Sequence, residues 1–434
     1  MAFVRSIGRW TMTALVINCI IGSGIFGVPA ELTRLLGRAS PMAMILAALG
    51  MGVFMACIGE VASQFSEPGG AYLYTRTAFG RFVGIQIGWF SLLGDLGAVG
   101  ASANLFLNYL ATFLPWRLNT WKRDSMMGML IAIPAVANYL GVRSGANLSN
   151  LMTVAKVSPL ALLILFGVAR FIQHPQMIHA SEIVGPGLST WLRAMVFLLF
   201  TFAGWESALI PTGEIKEPRR TIPFGLGAGL LAVSLTYALL QFIVVATIGV
   251  NATDRPLAGT ASVFLGGSGA AFVAIAVMIS TYGWVSGALL YAPRLAYSLA
   301  AQGDFPAGLA SLHPRFHTPA AAILFYALVG WMLAMSGTFL WLAALSAGAT
   351  MVYYGGTCAS LIRLRKLCPN ADALRVPFAR ILSIVGVAIC LALMTGLTRR
   401  EVLAMGVTSL IAAANWLWAK WRRVQSESNM HAQA

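Results

Sequence analysis

Acidic residues are scarce in this chain. Only 14 of 434 residues are Asp or Glu, and charged residues of both signs make up 10% of the sequence. A water-soluble domain carries about a quarter charged residues, so a surface solvated on all sides is excluded. Cysteine is equally sparse. Cys19, Cys57, Cys358, Cys368 and Cys390 show no metal-ligand spacing, and most lie in apolar stretches. They read as free thiols, with neither a disulfide framework nor a bound metal. The histidines fall in loops (His174, His179, His313, His317) or in the tail (His431). A GxSxG elbow and a phosphate-binding glycine loop are both missing. The sequence therefore offers no residues for enzyme chemistry, and no cofactor is expected.

Hydrophobic residues, in contrast, make up 58% of the chain, and the mean hydropathy is +0.78. Stretches of about 20 apolar residues read as membrane-spanning helices. Twelve such segments are legible, at 10–35, 41–63, 84–113, 125–141, 147–171, 190–213, 223–249, 268–301, 319–336, 338–362, 378–397 and 401–420. The first runs through a glycine-rich interruption into Glu31, unlike a cleavable leader. The net charge of +15 raises the question of nucleic acid, and its distribution answers it. With the N-terminus placed inside, eighteen Lys and Arg fall on inner loops and tails, ten fall outside, and Lys156 lies within a segment. This bias predicts both termini in the cytoplasm, with the charge beside anionic headgroups rather than on a nucleic acid.

Two of the segments are interrupted in the same way. IIGSGIFGVPAE (20–31) and AGWESALIPTGE (203–214) each place a proline seven residues after a glycine, Gly22 to Pro29 and Gly204 to Pro211. Glycine is costly within a helix and proline removes a backbone donor, so both segments should lose helical hydrogen bonds near the middle of the membrane. Freed backbone groups in hydrocarbon cost several kcal/mol unless something satisfies them. Matching breaks in two halves of a chain mark the binding site of a secondary transporter. Simple proline kinks are the plainer alternative.

GSGIF in the first segment, SEPGGAYLYTRTAFG after the second and GWESALIPTGEIKEPRRTIP around the sixth together resemble the amino acid–polyamine–organocation (APC) superfamily, over essentially the whole chain. The resemblance implies an all-α membrane protein with twelve transmembrane helices and a LeuT-like 5+5 inverted repeat in which helices 1 and 6 are broken. The transport core would be 1–362, with repeats at about 10–171 and 190–362, and 363–434 would add helices 11, 12 and the tail. It further implies an amino-acid transporter of the inner membrane working by alternating access, with a small-molecule substrate, the lipid bilayer as surroundings and possible homo-oligomers.

By that resemblance the freed backbone of Ile20, Ile21, Gly22, Ser23 and Gly24, with Phe200, Ala203 and Gly204 opposite, binds the substrate's carboxylate and ammonium. Arginine/agmatine antiporters of the superfamily match further at Ser91 and Asp95 in the third segment, at the Phe200 aromatic and at Trp284 in the eighth. Ser280, Trp284, Gly287 and Tyr291 share one helical face, which would also suit ordinary packing of small residues. The match is imperfect. Asp95 stands where those antiporters have an amide, Phe200 is not Trp, and Lys156 has no counterpart among them. A lysine in the fifth segment instead resembles sodium-independent members and the light-chain amino-acid exchangers, where its ammonium would occupy the place of a cation. Neutral or broad amino-acid specificity is therefore favoured, with a basic amino-acid or polyamine antiporter as the alternative. Lys156, too deep to snorkel, is either a coupling group or a fixed brace, with Ser149 and Thr153 on its face. Glu206 reads as a carboxylate beside the site and Glu60 as a structural tether at the end of the second segment.

Overall fold

The computed structural model describes residues 7–65, 69–114, 119–141, 146–173, 185, 187–209, 215–249, 253–367 and 373–433. Pro211, Cys368, His174 and His179 lie outside the described residues, as do the side chains of Ser149 and Thr153. Among the described residues every regular element is a helix, and every one of the twelve apolar segments carries helix. In chain order the helices are α1 Arg9–Ile20, α2 Ser23–Gly27, α3 Pro29–Leu36, α4 Ser40–Ser63, α5 Gly70–Phe79, α6 Arg81–Leu110, α7 Thr120–Tyr139 and α8 Ala146–Gln173. They continue as α9 Leu188–Phe202, α10 Pro218–Thr247, α11 Pro256–Ala301, α12 Ala320–Met335, α13 Phe339–Leu367, α14 Ala379–Met394 and α15 Arg399–Gln433. Among the described residues seven helices are long and apolar enough to cross a membrane, and α12 and α14 are shorter apolar helices. Large apolar side chains such as Leu49, Ile172, Leu403 and Leu410 stand more than two-thirds exposed on the outside of the bundle. So much apolar surface suits lipid and not water.

The first segment is broken where its glycines predicted. Ile21 (φ −69°, ψ 95°) and Gly22 (φ −131°, ψ −154°) are extended between α1 and α2. From Ser23 the helix continues almost without interruption, because Val28 keeps helical dihedrals and donates to the Gly24 carbonyl across the junction with α3. Pro29 begins α3, where its missing N–H is no loss. The sixth segment breaks likewise. Helix α9 ends at Phe202, Ala203 is extended, Gly204 takes φ +99°, and a 3-10 turn spans Trp205–Leu209. The eighth segment is helical over 268–301 as read, and the helix extends further toward the N-terminus than the reading. Its helix begins at Pro256 and is interrupted at Gly266 (φ 65°, ψ −159°).

The two broken helices cross at their breaks. A Cβ at Gly24 would lie 2.6 Å from Thr201 Cα, and one at Gly204 would lie 2.8 Å from the Cys19 carbonyl oxygen. Around this crossing, α6 packs against α11 and α13, and α10 against α1 and α4.

Buried carboxylates pin one end of the bundle. Glu60 of α4, fully buried, accepts from Arg365 Nε (2.6 Å) and Nη2 (2.7 Å) on α13 and from the Val376 N–H (2.8 Å). Asp304, also fully buried, accepts from Tyr72 Oη of α5 (2.5 Å) and from Arg81 Nε, with Arg76 3.6 Å away. These contacts place α5 and the start of α6 against the loop after α11. Ile7 belongs to the same end, because it forms an isolated bridge with Ile215 after the sixth segment, and Arg219 nearby donates to the Ala373 carbonyl (3.3 Å), close to Val376.

Candidate functional site

A helix that stops inside a protein leaves its last carbonyls without donors. For α1 these are the carbonyls of Asn18, Cys19 and Ile20, since that of Ile17 receives the Ile21 N–H (3.0 Å). Two side chains compensate. Tyr237 of α10 donates to the Ile20 carbonyl (3.2 Å), and Lys156 Nζ of α8 lies 3.4 Å from that of Asn18. Lys156 is 6% exposed, so its ammonium sits within protein behind α1. On the other side of the break, the first N–H groups of α2 face into the molecule, and Ser23 Oγ accepts from Ser102 Oγ of α6 (2.9 Å).

These ends meet at a cavity of about 830 Å³. Its inner part is walled by Ile20, Gly22, Ser23 and Gly24 from the first break and by Phe200, Ala203, Gly204 and Glu206 from the second, with Ser91 and Asp95 from α6 and Trp284 from α11. Every predicted site residue except two therefore reaches this one space. Ile21 does not. Being extended, it turns its side chain outward to a second, apolar crevice shared with Val157 and Leu160 of α8 and Val233 of α10. Lys156 does not line the cavity either and touches it only through α1. On the predicted stripe of α11, Trp284 and Tyr291 face the cavity while Ser280 is buried in packing. Gly22 and Trp284 are close, since a Cβ at position 22 would lie 3.4 Å from Trp284 Cδ1.

Glu206 has a defined role in the architecture. Its Oε2 accepts from the Gly204 N–H (3.0 Å) and from Tyr354 Oη (2.8 Å), and its Oε1 from Tyr353 Oη (2.9 Å). The carboxylate thus folds back over the break and ties it to α13. Asp95 is different. Among the described residues no side chain donates a hydrogen bond to it and none forms an ion pair with it, although its carboxyl borders the cavity. Away from the mouth, the Phe200 ring meets the Phe339 ring edge-on at 6.1 Å. In the other direction the cavity continues past Tyr291 to Gly70, Gln302 and His317, at the end of the bundle pinned by Glu60 and Asp304.

Sequence reasoning missed the wall contributed by α13. Ser346, Thr350, Tyr353 and Thr357 all line the cavity. Their spacing of four, three and four residues is a polar stripe in an otherwise apolar helix, and that was the available signal.

Residues 7–416 match the amino acid permease family. The chain is 28% identical to the Serine/threonine exchanger SteT of Bacillus subtilis, over 74% of each chain. It is 25% identical to the Methylthioribose transporter of the same organism, over 91% of this chain and 89% of the relative. It is 26% identical to the human b(0,+)-type amino acid transporter 1, over 83% of this chain and 76% of the relative.

Proposed function

Because this chain belongs to the amino acid permease family, we propose that it is a secondary active transporter of neutral amino acids, broad in range, working by alternating access across a bacterial-type inner membrane. Twelve spanning helices, with 10–171 and 190–362 as inverted repeats and both termini cytoplasmic, complete the reading. One observation carries it. The carbonyl ends of α1 and α9 and the N–H end of α2 converge on one cavity. A helix N-terminus attracts a carboxylate and a C-terminus an ammonium, so the two breaks complement the two charges of an α-amino acid. Ser23 adds a hydroxyl beside the carboxylate, and Trp284 and Phe200 flank the side chain. The exchanger SteT is named for serine and threonine, which supports a small neutral substrate. With the N-terminus cytoplasmic, the cavity's extension to the end holding Ile7 and Ile215 corresponds to an inward-facing state.

The test is counterflow. Proteoliposomes preloaded with L-serine should take up labelled L-serine faster than empty ones, and a panel of amino acids and polyamines should compete. Vesicles that take up no amino acid under either condition would count against the reading.

Lys156 carries a second expectation. With its ammonium on the Asn18 carbonyl, it fills the role of a cation at that end of α1. Wild-type uptake should then be the same in sodium and in choline buffers. Lys156→Ala, which leaves that carbonyl without its donor, should reduce uptake at least tenfold. Sodium-dependent uptake by the wild type would refute the assignment.

Asp95 favours one other reading, a basic amino acid or polyamine as substrate. A carboxylate in an apolar surround needs a cation or a proton, and a substrate side chain could supply the cation. A charge-assisted contact is worth about 1.5–3 kcal/mol, so Asp95→Asn would then weaken arginine binding roughly tenfold or more. On the neutral reading, calorimetric titration with arginine and alanine should show the two affected alike.

A further inference from the structure

The cavity has opposite electrical character at its two ends. Among the described lining residues, Asp95 and Glu206 are the only carboxylates, and both lie beside the helix breaks. Arg294 and His317 line the mouth. Helix α11 connects the two ends, with Trp284 and Tyr291 at the inner part, Arg294 and Ser298 nearer the opening and Gln302 just past the helix end. Ten residues separate Trp284 from Arg294, or about 15 Å along the helix.

The mouth is built, not merely exposed. Arg294 Nη1 donates to the Leu290 carbonyl one turn back (2.5 Å), and the guanidinium has no ion pair among the described residues. The other mouth residue, His317, belongs to a tight turn at 313–318. The His313 N–H donates to the Thr318 carbonyl (2.8 Å), and the His317 N–H to the His313 carbonyl (2.9 Å). His313 Nδ1 accepts from the Arg315 N–H (3.2 Å), and Thr318 Oγ1 anchors the turn to the Tyr139 carbonyl of α7 (2.8 Å). Within this framework His317 takes φ +52°, in the left-handed region, where histidine is among the better tolerated side chains.

We propose that Arg294 and His317 form a second, vestibular substrate site at the mouth, which takes the α-carboxylate of an amino acid before it enters the central site or after it leaves. The proposal rests on the transport reading above. The guanidinium supplies charge and paired N–H donors suited to a carboxylate, and the imidazole supplies a further donor across the opening. The substrate's ammonium then faces Asp95 and Glu206, so the zwitterion enters already aligned with the field of the cavity. The site serves one face of the membrane only, and the two faces should therefore differ in apparent affinity.

The experiment measures KM for L-serine separately from each face, in sided proteoliposomes made first from zwitterionic and then from partly anionic lipid. Arg294→Gln should raise KM at the mouth face about threefold at low salt, the size of one partly screened charge contact. The maximal rate and the KM at the opposite face should not move, and Arg294→Lys should recover part of the loss. The effect should shrink at about 1 M salt, where screening reaches a few ångströms. His317→Gly removes the imidazole while relieving the positive φ, so it should fold at least as well as wild type and still raise KM at that face. Equal changes at both faces, or none at either, would overturn the proposal. So would an Arg294 effect found only with anionic lipid, because the arginine would then serve headgroups. Wild-type protein that transports no amino acid removes the transport reading, and this inference with it.

Discussion

Gly204→Val should abolish substrate binding and transport while the protein still inserts into the membrane. Two independent costs meet at this residue. Its φ of +99° lies where a β-branched residue is strained, at about 1–3 kcal/mol. A Cβ there would also stand 2.8 Å from the Cys19 carbonyl oxygen, which is backbone and has no rotamer by which to yield. Relief requires α1 and the sixth-segment break to separate, and those are the elements whose ends face the cavity. The Gly204 N–H also donates to Glu206, so moving it loosens the Tyr353 and Tyr354 tether as well. Gly22→Val is milder in packing terms, since the nearest atom to its Cβ is the edge of Trp284 at 3.4 Å. It should block the ligand more than it disturbs the fold. Equilibrium binding of labelled L-serine to purified, monodisperse protein checks both. Near-normal affinity in Gly204→Val would mean that the breaks are kinks without a binding role.

These breaks were legible because glycine acts locally, whereas Pro29 merely begins α3 and does not break the helix. The effect of glycine on backbone hydrogen bonds needs no knowledge of neighbours, so 20–24 and 203–204 could be placed from sequence. Other features depend on tertiary context. The stripe on α13 gave a weak signal because hydroxyls in helices can satisfy themselves on the preceding turn. Thr350 bonds the Ser346 carbonyl and Thr357 that of Tyr353, so neither needs a cavity to be tolerated. The eighth segment was read from 268, just past the Gly266–Gly267 pair, so the turns of α11 before the kink were missed. Lys156 was conspicuous as a deep lysine. Its partner, the Asn18 carbonyl, exists as a free acceptor only because α1 has ended. Ile21 shows the limit of reading a motif as a unit. It lies within the broken stretch, but an extended backbone alternates side-chain direction, and its neighbours take the cavity side.

The alternating-access reading asks that some parts of the bundle stay fixed while the breaks rearrange, and the buried carboxylates supply fixed points. Glu60 joins α4 to α13 and to the segment before α14. Asp304 joins α5 and α6 to the end of α11, and its backbone carbonyl accepts from Asn415 of α15 (2.6 Å). Both lie at the end where the cavity opens, so they define the frame of the mouth.

Glu60→Gln should therefore be the most destabilising conservative substitution at that end. The wild-type carboxylate is fully buried and bidentate to Arg365, and Arg375 Nη1 lies 3.8 Å away. Removing one partner of a buried pair costs about 3–5 kcal/mol, because the other charge is left uncompensated. Arg365 retains 29% side-chain exposure, so water recovers part of this and roughly 2–3 kcal/mol is expected. Glutamine can still accept the Val376 N–H, but it presents an NH2 group to a guanidinium where an oxygen stood. The loss should appear as a lowered midpoint in thermal unfolding monitored by size-exclusion chromatography. Glu60→Met with Arg365→Met should recover only part of it. An apolar pair removes the stranded charge, yet the Val376 N–H then has no acceptor. An unchanged midpoint in Glu60→Gln would show that this end of the bundle is held by packing alone, and the frame of the mouth would have to be sought in the Asp304 contacts.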